Sequence, residues 1–78
     1  MKSTSRMFEK AVELEPQNYL YRGNLADAYR WTPGEKDRAK PNYVQAIGLA
    51  ERDLKVNPRD TDELGYVALY EAKSGDLE

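Results

Sequence analysis

The densest chemistry in this chain is acidic. Asp60-Thr61-Asp62-Glu63 puts three carboxylates into four residues, a set that could offer oxygen ligands to a divalent cation. A calcium loop spreads its ligands over about twelve residues around a central glycine and a distal glutamate, and that spacing is not present. The same four residues suit a helix start, where carboxylates satisfy unpaired amides and face the positive end of the helix dipole. Glu13 and Glu15 form a second pair, of a type used for acid–base work. Two residues apart on a helix, they point to different faces, and no nucleophile-and-base set stands near them. The chain has no histidine and no cysteine, which removes the commonest general base, thiolate metal ligands and any disulfide. Ser3, Thr4 and Ser5 are phosphate acceptors by type, or simply the frayed start of a helix. These residues predict no catalytic residue, no metal site and no cofactor.

Aromatic residues are the other candidates for function. Six tyrosines, one tryptophan and one phenylalanine could form a stacking platform for single-stranded nucleic acid. Such a platform needs interleaved cations, whereas the chain carries 12 basic and 14 acidic residues and a net charge of -2. A nucleic-acid partner is therefore not expected. Tyr29 and Tyr43 fit core spacing, while Tyr19, Tyr21, Tyr66 and Tyr70 suit either interfaces or the packing between neighbouring helices. No apolar run is long enough to span a membrane, and no apolar signal core follows Lys2 and Arg6. The chain reads as soluble, and its lack of cysteine is compatible with the cytoplasm.

Helices must position these groups. Met7, Phe8, Ala11, Val12 and Leu14 recur at helical spacing, which predicts an amphipathic helix over 4–15, capped by Ser3, Thr4 or Ser5 and stopped by Pro16. Asn18 is a good N-cap for a second helix from Tyr19 to about Trp31, with Leu25, Ala26 and Tyr29 on its inner face. Thr32-Pro33-Gly34 ends it with turn chemistry. A third helix carries Tyr43, Ile47, Ala50 and Leu54 on one seam. Its start depends on Pro41, which is tolerated in a first turn, so a start near Asp37 to Lys40 is expected rather than one at Glu35 with a bend. Gly48 inside it costs roughly 1 kcal/mol relative to alanine. Pro58 closes this helix, and Asp60 with Glu63 three residues later opens a fourth. Leu64, Val67, Ala68 and Ala72 are expected on the buried side of that fourth helix, and Ser74-Gly75-Asp76 provides its C-cap.

One phrase occurs twice. Ala11-Val12-Glu13-Leu14-Glu15-Pro16-Gln17-Asn18 is answered 42 residues later by Asp53-Leu54-Lys55-Val56-Asn57-Pro58-Arg59-Asp60, and Gly23-x-Leu25-Ala26 by Gly65-x-Val67-Ala68. A fixed internal period in so short a chain marks one packing unit used more than once. The fold class predicted is all-α: about four helices in antiparallel hairpins, stacked as a short α-solenoid in one domain over 1–78.

The residues Phe8-x-x-Ala11-x-x-Leu14-x-Pro16, Asn24-Leu25-Ala26-x-Ala28-Tyr29, Tyr43-x-x-Ala46-Ile47 and Leu54-x-Val56-Asn57-Pro58 resemble the tetratricopeptide repeat. That resemblance divides the chain into the second helix of a preceding repeat (4–15), one full repeat (19–57) and the first helix of the next (60–74). The family period is 34 residues, so this unit is elongated by eight, placed between Trp31 and Tyr43. The family's early tryptophan is Arg22 here and Leu64 in the next copy, and Glu71 stands where the first copy has Tyr29. The stretch Tyr29-Arg30-Trp31-Thr32-Pro33-Gly34 is also similar to repeat regions attached to some bacterial serine/threonine kinases.

The resemblance implies a scaffold that binds a peptide or helix of a partner protein and performs no chemistry. First helices of successive repeats line a concave groove in that family, which here implies Leu20, Gly23, Asp27 and Arg30, joined by Gly65, Leu69 and Ala72. The two glycines would let a ligand approach closely, or would relieve crowding between helices; both readings stay open. Of the basic and asparagine set that grips a terminal carboxylate in some members, only Asn24 is matched, and that activity is not expected. The alternative is self-association, for instance as a homodimer, because short repeat stacks leave apolar ends uncovered. Met7, Phe8 and Val12 at one end, and Val67, Leu69 and Tyr70 at the other, are the candidates for it.

Overall fold

Prolines and capping side chains divide the chain into four α-helices joined by short turns. The computed structural model describes residues 4–77; Ser3, one of the candidate caps, lies outside them. Helix α1 spans Thr4–Leu14, α2 Tyr19–Trp31, α3 Ala39–Val56 and α4 Thr61–Gly75, with a 3₁₀ turn at Lys36–Arg38 leading into α3. No strand forms among the described residues. None of their helices is long and apolar enough to cross a membrane.

The caps act as their residue types require. The Asn18 side chain accepts the Tyr21 amide at 3.2 Å, and Asp60 accepts the Glu63 amide at 3.0 Å. At the end of α2 the Thr32 hydroxyl donates to the Ala28 carbonyl at 2.6 Å, satisfying a last-turn acceptor. Gly34 then turns the chain at φ +83°, a conformation that side chains resist. Pro41 is the third residue of α3, inside the first turn where its missing amide costs no helical bond. The late start expected for this helix is thus observed. The Gly34 turn and the 3₁₀ turn lead from α2 into a long α3 of 18 residues.

Each helix packs mainly on its neighbours in the chain. Glu9 of α1 accepts the Tyr29 hydroxyl from near the end of α2, and Asp27 of α2 accepts the Tyr43 hydroxyl from near the start of α3, so successive helices run antiparallel. Leu25, Ala26 and Tyr29 of α2 meet Ala39, Tyr43 and Ala46 of α3 in one core, with Val12 on one side and Tyr70 on the other. Alanine at four of the most buried positions, Ala26, Ala39, Ala46 and Ala50, lets the backbones of α2 and α3 approach closely, so the core is thin and rests on tyrosine rings for volume.

The end helices differ from the sequence expectation because each is covered on one side only. In α1, Ser5 and Val12 are buried, Phe8 is half-buried, and Met7 and Leu14 remain 67% and 70% exposed. The Ser5 hydroxyl donates to Glu35 at 3.1 Å, and its burial overturns its reading as a phosphate acceptor. In α4 the buried residues are Tyr70 and Ser74, with Val67 half-buried; Leu64, Ala68 and Ala72, expected inside, face out. Burial of Val12 and Tyr70 within the chain's own core also removes them as self-association residues.

Candidate partner-binding surface

Helices α2 and α4 are not neighbours in sequence, yet they lie side by side and parallel. The Tyr19 and Tyr66 rings meet edge to face at 5.8 Å. The Tyr70 ring lies on Gly23, so closely that a Cβ there would come within 2.6 Å of Cε1. Further along, Lys73 donates to both Asp27 oxygens at 3.0 and 3.2 Å, and Arg30 pairs with Asp76 at 3.8 Å. Each contact advances about one turn on both helices, as two parallel helices require.

Asp27 is the polar centre of this seam. It accepts the hydroxyl of Tyr43, which is fully buried, and Lys73 neutralises its charge from α4. A buried phenol needs such a partner. Burial, then the hydrogen bond to Asp27, raises the Tyr43 pKa well above its ordinary value. Burial also pushes Tyr70 up to about 12, with the Asp27 charge adding to it. At the other end of the seam burial pushes Tyr19 to about 12, helped by Glu63 and Asp60. Tyr66 and Tyr70 stack at 5.8 Å and Tyr43 follows at 6.1 Å, so four tyrosines run in contact from Tyr19 into the core. They serve as packing between helices, not as a free platform.

The seven residues expected to line a groove do not form one. Gly23 is buried beneath Tyr70, which corrects its assignment: the glycine relieves crowding between α2 and α4 and offers no approach to a ligand. Asp27 and Arg30 are half-buried and already paired. They line a shallow hollow of about 290 Å³ with Trp31, Lys73 and Asp76. Leu20 lines a separate hollow of about 490 Å³ at the turn end, with Glu15, Asn18, Tyr19 and Asp53. Gly65 and the exposed Leu69 line a third, of about 450 Å³, on α4, and Ala72 is exposed.

Trp31, with Asp27, borders two hollows, and the sequence did not place it among the partner-binding residues. It is 77% exposed. On one side it borders the hollow of Asp27, Arg30 and Lys73; on the other it borders a hollow of about 350 Å³ lined by Thr4, Phe8, Asn24, Asp27 and Ala28. The Arg30 guanidinium stands 5.4 Å from its ring centroid, an attraction that orients the indole. Trp31 is the single tryptophan and sits directly before the Thr32-Pro33-Gly34 turn. An aromatic at the last turn of a helix, past the reach of the next helix, was the available signal. Asn24, exposed on the same side of α2, adds an amide to the second hollow.

The acidic group at the start of α4 behaves as a helix cap. Burial, then the neighbouring Asp60, raises the Glu63 carboxyl above the usual carboxylate range. Among the described residues no group of three or more His, Cys, Asp or Glu is placed to hold a metal ion. Comparison with family models, with curated proteins and with solved structures finds no match for this chain.

Proposed function

We propose that this chain is a protein-interaction module of the tetratricopeptide type, which binds an extended peptide or helix of a partner across Trp31. Support for the repeat type comes from the 42-residue phrase and the parallel placing of α2 and α4. The observation that carries the binding site is the exposed indole between two hollows. A tryptophan left in water is a large apolar surface with a ring N–H donor, and this residue type dominates binding energy at interfaces. Asn24 offers an amide on one flank, while Lys73 and Asp76 offer charges on the other. The partner segment that suits this surface places an apolar side chain against the Phe8 side of Trp31 and polar groups toward the paired charges. The module acts by binding and performs no chemistry.

The test is selection of binding peptides from a displayed random library against the chain. Because Trp31 is the single tryptophan, its emission reports occupancy directly. A blue shift on titration, with Trp31→Ala binding at least ~30-fold more weakly, agrees with a hot-spot loss of about 2 kcal/mol. Peptides that bind with unchanged emission and unchanged affinity for Trp31→Ala would refute this site.

A further inference from the structure

Two arginines border one hollow, and neither is neutralised. The hollow, of about 330 Å³, lies where the α1–α2 turn and α2 meet α3, and is lined by Pro16, Arg22, Gln45, Gly48, Leu49 and Arg52. Its residues on α3 share one helix face, at i, i+3, i+4 and i+7. It has no residue in common with the hollows beside Trp31. Arg22 Nη1 donates to the Asn42 side-chain oxygen at 3.2 Å, and Arg52 Nη1 to the Gln17 side-chain oxygen at 3.2 Å. Both acceptors are neutral amides, which orient a guanidinium without cancelling its charge. Neither arginine forms an ion pair among the described residues, in a chain with 14 acidic residues and 12 basic. The positions one helical turn away give the reason. Asn18, Tyr19, Leu25 and Ala26 flank Arg22, while Gly48, Leu49, Lys55 and Val56 flank Arg52, with no carboxylate in either set.

Two further features mark the hollow. Arg22 Nε is buried and has no acceptor among the described residues, and a buried N–H without a partner costs stability until an acceptor is supplied. Gly48 sits in the interior of α3, where glycine disfavours the helix, yet no neighbouring group stands within 4 Å of where its Cβ would be. No packed helix requires that glycine. What its missing side chain does is leave room in the hollow. The carboxylates of Glu15 and Asp53 line the adjoining hollow, which also touches Pro16, and none lines this one.

We propose that this hollow binds a phosphate monoester carried on a side chain of a partner protein, held between Arg22 and Arg52. Such a group brings a charge of roughly −1.5 to −2 and several strong acceptor oxygens, which two guanidinium groups neutralise and hydrogen-bond together. A carboxylate carries one charge and is matched by one arginine fork, so it leaves the second arginine unbalanced. Arg22 turns its Nε edge into the hollow and gains the acceptor that this N–H lacks, while Arg52 reaches the same group from α3. Pro16 and Leu49 supply apolar contact for the carbon that bears the phosphate. The source is a protein side chain and not a free metabolite because Pro16, Gln45, Gly48 and Arg52 are all exposed. They make a surface hollow without the walls that bury a small ligand. The site stands apart from the Trp31 surface and does not depend on it.

The test is an NMR titration of the isotope-labelled chain with a short peptide that carries one phosphoserine between alanines. Saturable shifts of the Gly48 and Leu49 amides and of the Arg22 and Arg52 Nε–H signals are expected, with Trp31 emission unchanged. Arg22→Gln and Arg52→Gln should each weaken binding ~10-fold or more, as the loss of a hydrogen bond to a charged group requires. Circular dichroism checks the fold, and the exposed Arg52 supplies the variant if Arg22→Gln does not fold. Gly48→Leu fills the hollow, and should melt at a higher temperature while binding ~10-fold or more weakly. A glycine with only a structural role would not give that combination. Absence of binding overturns the proposal, and so does equal affinity for the peptide with serine or glutamate in place of phosphoserine. Shifts that survive in both glutamine variants would mean diffuse charge attraction only, and inorganic phosphate binding as tightly as the peptide would mean a free-anion site. Either result overturns it, as does a change in Trp31 emission, which would place the peptide on the other surface.

Discussion

The ring of Tyr70 occupies the space above Gly23 that a side chain on α2 would need. This single contact sets how closely α2 and α4 approach, and hence the line of Tyr19–Tyr66, Asp27–Lys73 and Arg30–Asp76 pairs along them. It also separates two glycines that the repeat makes equivalent, since Gly65 faces open space.

Gly23→Ala and Gly65→Ala should therefore change stability in opposite directions. Alanine gains about 1 kcal/mol over glycine in a helix, and at Gly65 nothing opposes that gain. At Gly23 the new methyl meets a ring that is itself buried, and overpacking of this kind costs about 1–3 kcal/mol. Urea unfolding should show Gly65→Ala more stable and Gly23→Ala less stable than the unaltered chain. Tyr70→Leu, which withdraws the ring, should turn Gly23→Ala from harmful to neutral or better.

Asp27 links α2 to both α3 and α4. Asp27→Asn keeps an acceptor for the Tyr43 hydroxyl but leaves the Lys73 ammonium without its counter-charge. Both side chains are about a third exposed, so the coupling expected from an Asp27→Asn, Lys73→Met double-mutant cycle is modest, about 1 kcal/mol. Additive single losses would show that Lys73 contributes nothing through Asp27.

Alkaline pH should unfold the chain steeply. Tyr19, Tyr29, Tyr43 and Tyr70 all have pKa values raised above the ordinary 10, with burial the largest cause in each. For a raised acid the folded state holds its proton longer than the unfolded chain. The stability these groups contribute is thus fully present below pH 10 and is lost as pH rises toward and past 12. Tyrosinate absorbance and helical circular dichroism should change together over that range. Titration of these four tyrosines near pH 10 with the helices intact would contradict this.

Much of the scaffold was legible in the sequence because caps, prolines and turn glycines act locally. Asn18, Asp60, Pro41 and Gly34 each do in the structure what their residue types permit. The faces of the end helices were not legible. Leu64, Ala68 and Ala72 have the spacing of a buried stripe, but periodicity says only that a face is apolar, and at the end of a helical ladder nothing specifies that it is covered. Gly23 and Gly65 look identical in sequence; the Tyr70 ring that distinguishes them comes from a contact 47 positions away. Of the residues expected in a groove, Gly23 is covered by the Tyr70 ring, a contact the resemblance alone did not imply. The exposure of Trp31 was not legible, because a tryptophan at a helix end fits a core as readily as a surface.

Trp31→Ala should leave the fold intact, because an exposed side chain away from special features changes stability by less than about 0.5 kcal/mol. The loss of the Arg30 contact adds little, since a cation over an exposed ring contributes about 0.5–1 kcal/mol. A cooperative melt near that of the unaltered chain is the expected outcome, and a large loss would mean that the indole serves the core.

The most direct measurement is the affinity of one library-selected peptide for three proteins: the unaltered chain, Trp31→Ala, and Val56→Ala as a control at a still more exposed apolar residue on α3. Binding through the Trp31 surface predicts at least ~30-fold weaker affinity for Trp31→Ala, none lost for Val56→Ala, and a blue-shifted tryptophan emission in the two chains that keep the indole. Equal affinity of all three proteins, with emission unchanged, would contradict it.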